Sequence, residues 1–148
     1  MEEQSAEKPR EHKDSLIYVV DDELSVRMLG EASLNRYGYP NVKIFEDGQA
    51  ALDAIKEAID KGEKTPDLII TDVNMPRMGG GQLLEEIEKL GLPKAPTAIY
   101  LTGRSDPANV QKVKERAYKG LAKPYLPRDQ LLPLVEEALQ YHFREETS

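Results

Sequence analysis

"LIITDVNMPRMGG", residues 68–80, carries the strongest structural signal of the chain. Its apolar first half predicts a strand that is buried on both faces of a parallel sheet. The strand ends at Asp72, and the asparagine, proline and glycines that follow are typical of a loop. A buried strand that delivers one carboxylate to the start of a loop indicates a chemical role for Asp72.

The alternation of strand and helix repeats along the chain. The run "LIYVV" at 16–20 is apolar and β-branched and ends at Asp21 and Asp22, as expected for a second strand buried on both faces. Five strands that alternate with five helices predict a parallel α/β sheet covered on both faces. The other predicted strands are 42–46, 97–104 and 119–123, and the predicted helices are 23–38, 47–60, 81–90, 106–117 and about 129–143.

Several residue types predict local details. Asp106 is expected at a helix N-cap, and Pro133 should make the start of the last helix irregular. The glycines at 79–81 are expected to permit unusual φ angles and a mobile loop. His12 and His142 are expected on the solvated surface.

Length and composition bound the class of protein. The 148 residues fit one domain. Lys and Arg total 20 and Asp and Glu total 27, and the net charge of -7 argues against nucleic acid or anionic membrane as a partner. There is no Cys, and no apolar stretch approaches the ~20 residues that span a bilayer. We therefore expect a cytoplasmic protein that binds neither nucleic acid nor membrane.

The charge pattern divides the chain into a domain and two tails. Residues 1–14 are charged and almost free of apolar side chains, which predicts a disordered tail. Residues 15–143 contain all the predicted strands and helices and are expected to form the domain. Residues 144–148 are expected to be a short C-terminal tail.

Chemically distinctive side chains stand where the predicted strands end. Asp21 and Asp22, Asp72, Thr102 and Lys123 should all reach one edge of the sheet, where parallel α/β folds collect their functional groups. Three carboxylates in one place repel one another unless they take up a proton or bind a cation. A hard divalent cation is favoured, and Mg²⁺ prefers oxygen ligands and is often held by one or two carboxylates together with phosphate oxygens. With Thr102 and Lys123 as partners for phosphoryl oxygens, the set predicts phosphoryl transfer to a carboxylate.

Each of these residues has an ordinary explanation when it is taken alone. Asp21 and Asp22 would then cap the following helix, Asp72 and Thr102 would be turn residues, and Lys123 would be a solvated charge. Their joint occurrence at the ends of successive strands favours a shared site instead.

Four motifs stand in order along the chain: "VVDDE" at 19–23, "DVNMPRMGG" at 72–80, "LTGR" at 101–104 and "KPY" at 123–125. Together with "DGQAAL" at 47–52, they resemble the receiver domain of bacterial two-component response regulators over roughly residues 15–143. The resemblance implies a flavodoxin-like, doubly wound, five-stranded parallel sheet in the order 2-1-3-4-5 with five helices.

The resemblance also implies roles at a magnesium site. Asp22 and Asp72 would bind Mg²⁺ directly, with the main-chain carbonyl of Asn74 as a further ligand and with Asp21 acting largely through water. Asp72 would be the phosphoacceptor.

Two further residues would contact the phosphoryl group. Lys123 would pair with its oxygens, and Thr102 would move inward to donate a hydrogen bond. The peptide bond from Lys123 to Pro124 would be cis. Gly120 departs from the family pattern, because receivers usually carry an aromatic residue there; Tyr118 is one candidate to replace it.

The implied function is signalling by phosphorylation. A sensor histidine kinase or a phosphotransfer protein would phosphorylate Asp72, and an unknown downstream protein would bind the changed surface. The face of the fourth helix, fifth strand and fifth helix is a candidate for that surface. With no output domain expected, the chain would not be an enzyme beyond its own phosphorylation and slow dephosphorylation. Two alternatives are a degenerate receiver that binds partners without phosphorylation and an aspartate-based phosphatase; the latter calls for an aspartate where Asn74 stands.

Overall fold

A parallel sheet with helices on both faces organises the fold. In the computed structural model, which describes residues 12–103 and 107–144, the strand order is β2-β1-β3-β4-β5. The predicted fold class is therefore confirmed. The strands are β1 (Ile17–Val20), β2 (Val42–Phe45), β3 (Leu68–Asp72), β4 (Thr97–Thr102) and β5 (Lys119–Ala122), and the helices are α1 (Leu24–Arg36), α2 (Gly48–Lys61), α3 (Gly80–Lys89), α4 (Pro107–Lys114) and α5 (Leu132–Phe143).

The two central strands build both halves of the core. Every residue of β1 and β3 is buried, and successive side chains of a strand point to opposite faces. Tyr18 and Val20 join the cluster beneath α2, α3 and α4, whereas Ile17 and Val19 join the one beneath α1 and α5. The continuous apolar runs thus reflect burial on both faces.

The register of the sheet aligns the strand ends. Val20 pairs with Thr71, so that Asp21 and Asp72 follow on neighbouring strands. Thr102 pairs with Ala122, the residue before Lys123. All the predicted side chains therefore leave the sheet at its carboxyl edge.

The glycines after Asp72 serve a purpose other than the one predicted. The positive-φ glycines among the described residues are Gly38, Gly62 and Gly91, and Gly79 has a φ of -83°. A Cβ on Gly79 would lie 2.7 Å from the carbonyl oxygen of Val73, and one on Gly80 would overlap the carbonyl oxygen of Asp72. Gly79 and Gly80 are needed because α3 begins directly against the chain at the end of β3.

His142 is buried, so the prediction of a solvated side chain is wrong. It lies on the inner face of α5, with Nδ1 3.0 Å from the hydroxyl oxygen of Thr97 and Nε2 3.6 Å from a carboxylate oxygen of Asp67. The face of α5 that covers the sheet extends to its last turn, where this polar cluster replaces apolar contacts.

The last residues of the predicted N-terminal tail, 12–14, contact the domain. His12 stacks on Phe143 with 4.6 Å between ring centroids. Lys13 Nζ donates to the carbonyl of Tyr37 at 2.9 Å and lies 4.0 Å from the centroid of the Tyr39 ring. Lys13 thus contacts the segment that follows α1. Residues 1–11, 145–148 and the predicted N-cap Asp106 lie outside the described residues.

The predicted irregular start of the last helix is confirmed. A π-helical turn, Pro127–Leu131, precedes α5, and Leu131 N–H donates to the carbonyl of Leu126 at 3.2 Å. Pro133 falls in the first turn of α5, where its missing N–H removes no intrahelical bond. None of the helices within residues 12–103 and 107–144 combines the length and apolar character of a membrane span.

Gly80→Ala tests the close approach of α3 to β3. Alanine normally favours a helix over glycine, but here the new methyl group would overlap the carbonyl oxygen of Asp72. We expect the free energy of unfolding, measured in urea, to fall by about 2 kcal/mol. Gln82→Ala at an exposed site two residues on should change it by less than about 0.5 kcal/mol. Equal midpoints for Gly80→Ala and the wild type would contradict this account.

Candidate functional site

The ammonium of Lys123 lies among three carboxylates at the carboxyl edge of the sheet. Its Nζ is 3.0 Å from Asp21 Oδ2, 3.3 Å from Asp72 Oδ2 and 3.3 Å from Glu23 Oε1. The Lys123 side chain is only 14% exposed, and that of Asp21 is fully buried. The structure therefore brings together residues from the ends of β1, β3 and β5.

Asp21, Asp22 and Asp72 form a cluster with the donor set of a metal site. One carboxylate oxygen from each lies within 4.8 Å of those of the other two. Asp21 and Asp72 are buried, whereas Asp22 is exposed, so a cation held here would keep an open side toward water. Hard oxygen donors with room for water ligands fit Mg²⁺.

Burial and mutual repulsion set the electrostatics of the cluster. Burial, followed by the nearby charge of Asp21, raises the pKa of Asp72 to about 6, against a smaller opposing effect of Lys123. Burial also raises the pKa of Asp21. Burial by itself would lower the pKa of Lys123, but its bonds to the two carboxylates raise it instead. Within the site, the proton prefers the lysine and a metal would compete with protons for the carboxylates.

Asp21 is held rigidly by its own neighbours. Its Oδ1 accepts the N–H of Glu23 at 2.9 Å, and its carbonyl accepts Arg27 Nη1 at 2.8 Å. The N-cap residue of α1 is Glu23, whose side chain makes no capping bond. Sequence reasoning missed Glu23 and Arg27; the motif "VVDDE" includes the first, but the role of the second depends on the path of α1.

Asp72 and Asn74 begin the loop that forms one wall of a cavity. The Val73 N–H donates to Asp72 Oδ1 at 2.8 Å. The Asn109 amide on α4 donates to the side-chain oxygen of Asn74 at 2.6 Å. The cavity, about 430 Å³, is lined by Asp22, Glu23, Val26, Leu29, Asp72, Asn74, Gly103, Lys123, Pro124 and Tyr125.

Thr102 ends β4 beside this cavity. Its carbonyl accepts the N–H of Lys123 at 2.9 Å, which joins the ends of β4 and β5. The threonine is half-buried, and Gly103 is the neighbour that lines the cavity. The predicted cis peptide between Lys123 and Pro124 is present.

The space above Gly120 is filled by an aromatic ring from the adjacent strand. Tyr100 pairs with Gly120 in the sheet, and a Cβ on Gly120 would lie 2.5 Å from Tyr100 Cε2. Tyr118 packs on Tyr141 instead, with 4.6 Å between ring centroids. The aromatic ring over Gly120 is therefore that of Tyr100 on β4. Tyr118, the candidate named from the sequence, does not occupy this space.

Comparisons with known proteins agree with this arrangement. The sequence model of the response regulator receiver domain matches residues 17–136. Two curated relatives are the DNA-binding transcriptional regulator NtrC of Escherichia coli K12, 34% identical over 132 residues, and the transcriptional regulatory protein ZraR of the same organism, 34% identical over 130 residues. Each alignment covers 88% of this chain but only 26% and 27% of the relative, so the chain spans about a quarter of their length.

Solved structures show the same likeness. A response regulator receiver domain protein (CheY-like) from Methanospirillum hungatei JF-1 has a TM-score of 0.75 and 28% identity, covering 89% of this chain and 98% of its own. NtrX from Brucella abortus has a TM-score of 0.75 and 27% identity, covering 90% of this chain and 28% of its own. The family model matches most of this chain, residues 17–136. The chain therefore belongs to the response regulator receiver domain family.

Proposed function

We propose that this receiver domain accepts a phosphoryl group on Asp72 from a histidine kinase or phosphotransfer protein, with Mg²⁺, and signals through protein contacts. The observation that carries the proposal is the position of the Lys123 ammonium, 3.3 Å from the Asp72 carboxylate and 3.0 Å from that of Asp21. A fixed cation beside a buried carboxylate suits a reaction that brings negative charge to that carboxylate.

The metal would be held by the residues that the sequence motifs indicate. Asp22, Asp72 and the main-chain carbonyl of Asn74 would be its ligands, and Asp21 would act largely through water. When bound, Mg²⁺ would neutralise negative charge on the carboxylates and on the phosphoryl oxygens. The clustered carboxylates and the opening at the exposed Asp22 support this assignment.

The transfer itself is a displacement at phosphorus. An oxygen of the ionised Asp72 carboxylate forms a bond to phosphorus as the bond from phosphorus to the donor's imidazole nitrogen breaks, and the nitrogen keeps the electron pair. Lys123 follows the charge to the phosphoryl oxygens, and the Thr102 hydroxyl donates a hydrogen bond to one of them. The phosphorylated state then differs from the free state in its contacts, and a partner that binds one state better shifts the equilibrium.

An exposed apolar surface beside the cavity fits the phosphodonor. Leu24 is 59% exposed, Met28 is 55% exposed one turn along the same face of α1, and Leu126 is 59% exposed on the segment after β5. Leu29 on α1 joins this surface to the cavity that contains Asp72. A protein donor that reaches Asp72 through this cavity would contact the surface, which fits an apolar helix that carries the phosphohistidine.

The downstream target is assigned to a different face. The rings of Tyr118 and Tyr141 pack against each other there at a tilt of 32°, and Lys119 and Glu137 form an exposed ion pair 3.0 Å long between β5 and α5. Aromatic and charged side chains on a face away from the phosphodonor surface would let both partners bind.

Phosphorylation of the intact protein tests the central claim. With phosphoramidate and Mg²⁺, we expect intact mass spectrometry to find one added phosphoryl group, because the small donor needs no docking surface. Asp72→Asn should abolish the addition and EDTA should prevent it. Asp53→Asn, at an exposed position on α2, should leave it unchanged. Phosphoryl addition that survives Asp72→Asn would refute the assignment.

The pH dependence of stability tests the environment of Asp72. The folded protein holds the Asp72 proton up to a pKa of about 6, against 3.8 for an ordinary aspartate. Between these values the folded state binds more protons than the unfolded state, so this contribution to the free energy of unfolding decreases as pH rises. In EDTA, the free energy of unfolding in urea should be measured for the wild type and for Asp72→Asn. The wild-type value minus the Asp72→Asn value should decrease between about pH 4 and pH 7. A difference that is flat or rises with pH would contradict the burial of this carboxylate.

Met28→Asp tests the docking surface. The kinase used should be the histidine kinase that phosphorylates the wild type fastest. A charge in an apolar contact should slow phosphotransfer from that kinase roughly tenfold. Phosphorylation by phosphoramidate should not change, because Met28 does not line the cavity. Asn35→Asp adds the same charge at an exposed position near the end of α1 and should have little effect. Equal slowing with both donors would mean that the substitution perturbs Asp72 rather than docking.

A further inference from the structure

An ion pair fastens the loop after Asp72 to the start of α2. Asp47 is the N-cap residue of α2, and its side chain is only 4% exposed. Arg77 donates from Nε to Asp47 Oδ2 at 2.7 Å and from Nη2 to Oδ1 at 2.9 Å. These bonds to Arg77 also hold the pKa of Asp47 below its ordinary value. Two parallel charge-assisted bonds fix both the distance and the orientation of the pair.

A backbone contact reinforces the ion pair. The Gly48 N–H donates to the carbonyl of Met78 at 3.0 Å, and a Cβ on Gly48 would lie 2.7 Å from the same oxygen. The first residue of α2 thus touches the loop directly. The loop and the helix start are fitted to each other without space for any larger residue at position 48.

Arg77 occupies a backbone conformation that favours glycine. Its φ is 65°, and the Met78 N–H donates to the carbonyl of Pro76 at 2.6 Å across it. A non-glycine residue in the left-handed region persists where its surroundings hold it there. Since glycine would adopt this turn more readily, the arginine indicates a use for its side chain, and the contact it makes is with Asp47.

The fastened segment is the one that presents Asn74. The two ends of the loop are tied together, because the Gly80 N–H donates to the carbonyl of Val73 at 2.9 Å. Asn74 lies between this closure and Arg77, and it lines the cavity next to Asp72. Holding the loop at Arg77 therefore limits where Asn74 can lie.

We infer that Asp47 and Arg77 are positioning residues for the Asp72 site, and that their ion pair sets the place at which the loop presents the Asn74 carbonyl to Mg²⁺. The inference rests on the proposed function, in which that carbonyl is a metal ligand. Neither residue contacts the phosphoryl group. Both act through residues 74–78.

The sign of the effect separates positioning from simple electrostatics. Arg77 is a cation near a cation site, so Coulomb repulsion alone predicts that its removal strengthens Mg²⁺ binding. Positioning predicts the opposite, because a loosened loop presents its carbonyl less well. Arg77→Gly relieves the unfavourable φ, which offsets part of the stability lost with the ion pair.

The experiment measures Mg²⁺ affinity and thermal unfolding for a matched set of variants. Isothermal titration with MgCl₂, at a temperature where all the variants are folded, should give a dissociation constant roughly tenfold higher for Arg77→Gly than for the wild type. Arg77→Lys keeps the positive charge but cannot make two parallel bonds to Asp47. Its dissociation constant should lie between those of Arg77→Gly and the wild type. Lys61→Gln removes a cation from the exposed pair with Glu57 at the other end of α2 and should change the dissociation constant by less than about twofold.

Each outcome bears on the inference. Weaker binding by Arg77→Gly with partial recovery in Arg77→Lys supports it. Unchanged or tighter binding by Arg77→Gly overturns it while leaving Asp72 phosphorylation intact. Loss of affinity in step with a fall in unfolding temperature across the set also overturns it, in favour of a purely structural ion pair. A wild type that binds no Mg²⁺ would overturn both the inference and the proposed function.

Discussion

The structure depends on holding two carboxylates side by side at the edge of an apolar sheet. Burial raises the pKa of both Asp21 and Asp72, and their charges repel each other. The compensating charge is Lys123, 3.0 Å from one and 3.3 Å from the other. Because Asp21, Asp72 and Lys123 follow β1, β3 and β5, this compensation requires the carboxyl ends of the three strands to meet. The chemistry of the site and the topology of the sheet are thus one constraint.

The features that sequence reasoning predicted are those set by the order of elements along the chain. Doubly buried strands are long apolar runs, and parallel connections oblige their carboxyl ends to share an edge. These rules are sufficient to predict that Asp21, Asp72, Thr102 and Lys123 lie near one another, although they give no distances between them. The irregular start of the last helix was also predictable, because a proline such as Pro133 acts on the backbone next to it.

The features that it missed depend on contacts between segments distant in sequence. Tyr100 covers Gly120 because the register pairs them, and no local pattern contains that register. His142 is buried because α5 ends over Thr97 and Asp67. The glycines after Asp72 were attributed to unusual φ angles because glycine alone does not distinguish a backbone requirement from a lack of space for a side chain. In each case the missing information was which surface another segment brings close.

The loop after Asp72 is held unequally on its two sides. Toward α2 it is joined by two charge-assisted bonds from Arg77 and by the Gly48 backbone bond. Toward α4, the side-chain bond from Asn109 to Asn74 joins two neutral amides and is exposed. Charge-assisted bonds are about twice as strong as neutral ones, and bonds open to water are worth less than buried ones. Of these contacts, the charge-assisted bonds to α2 contribute more to fixing the position of the loop after Asp72.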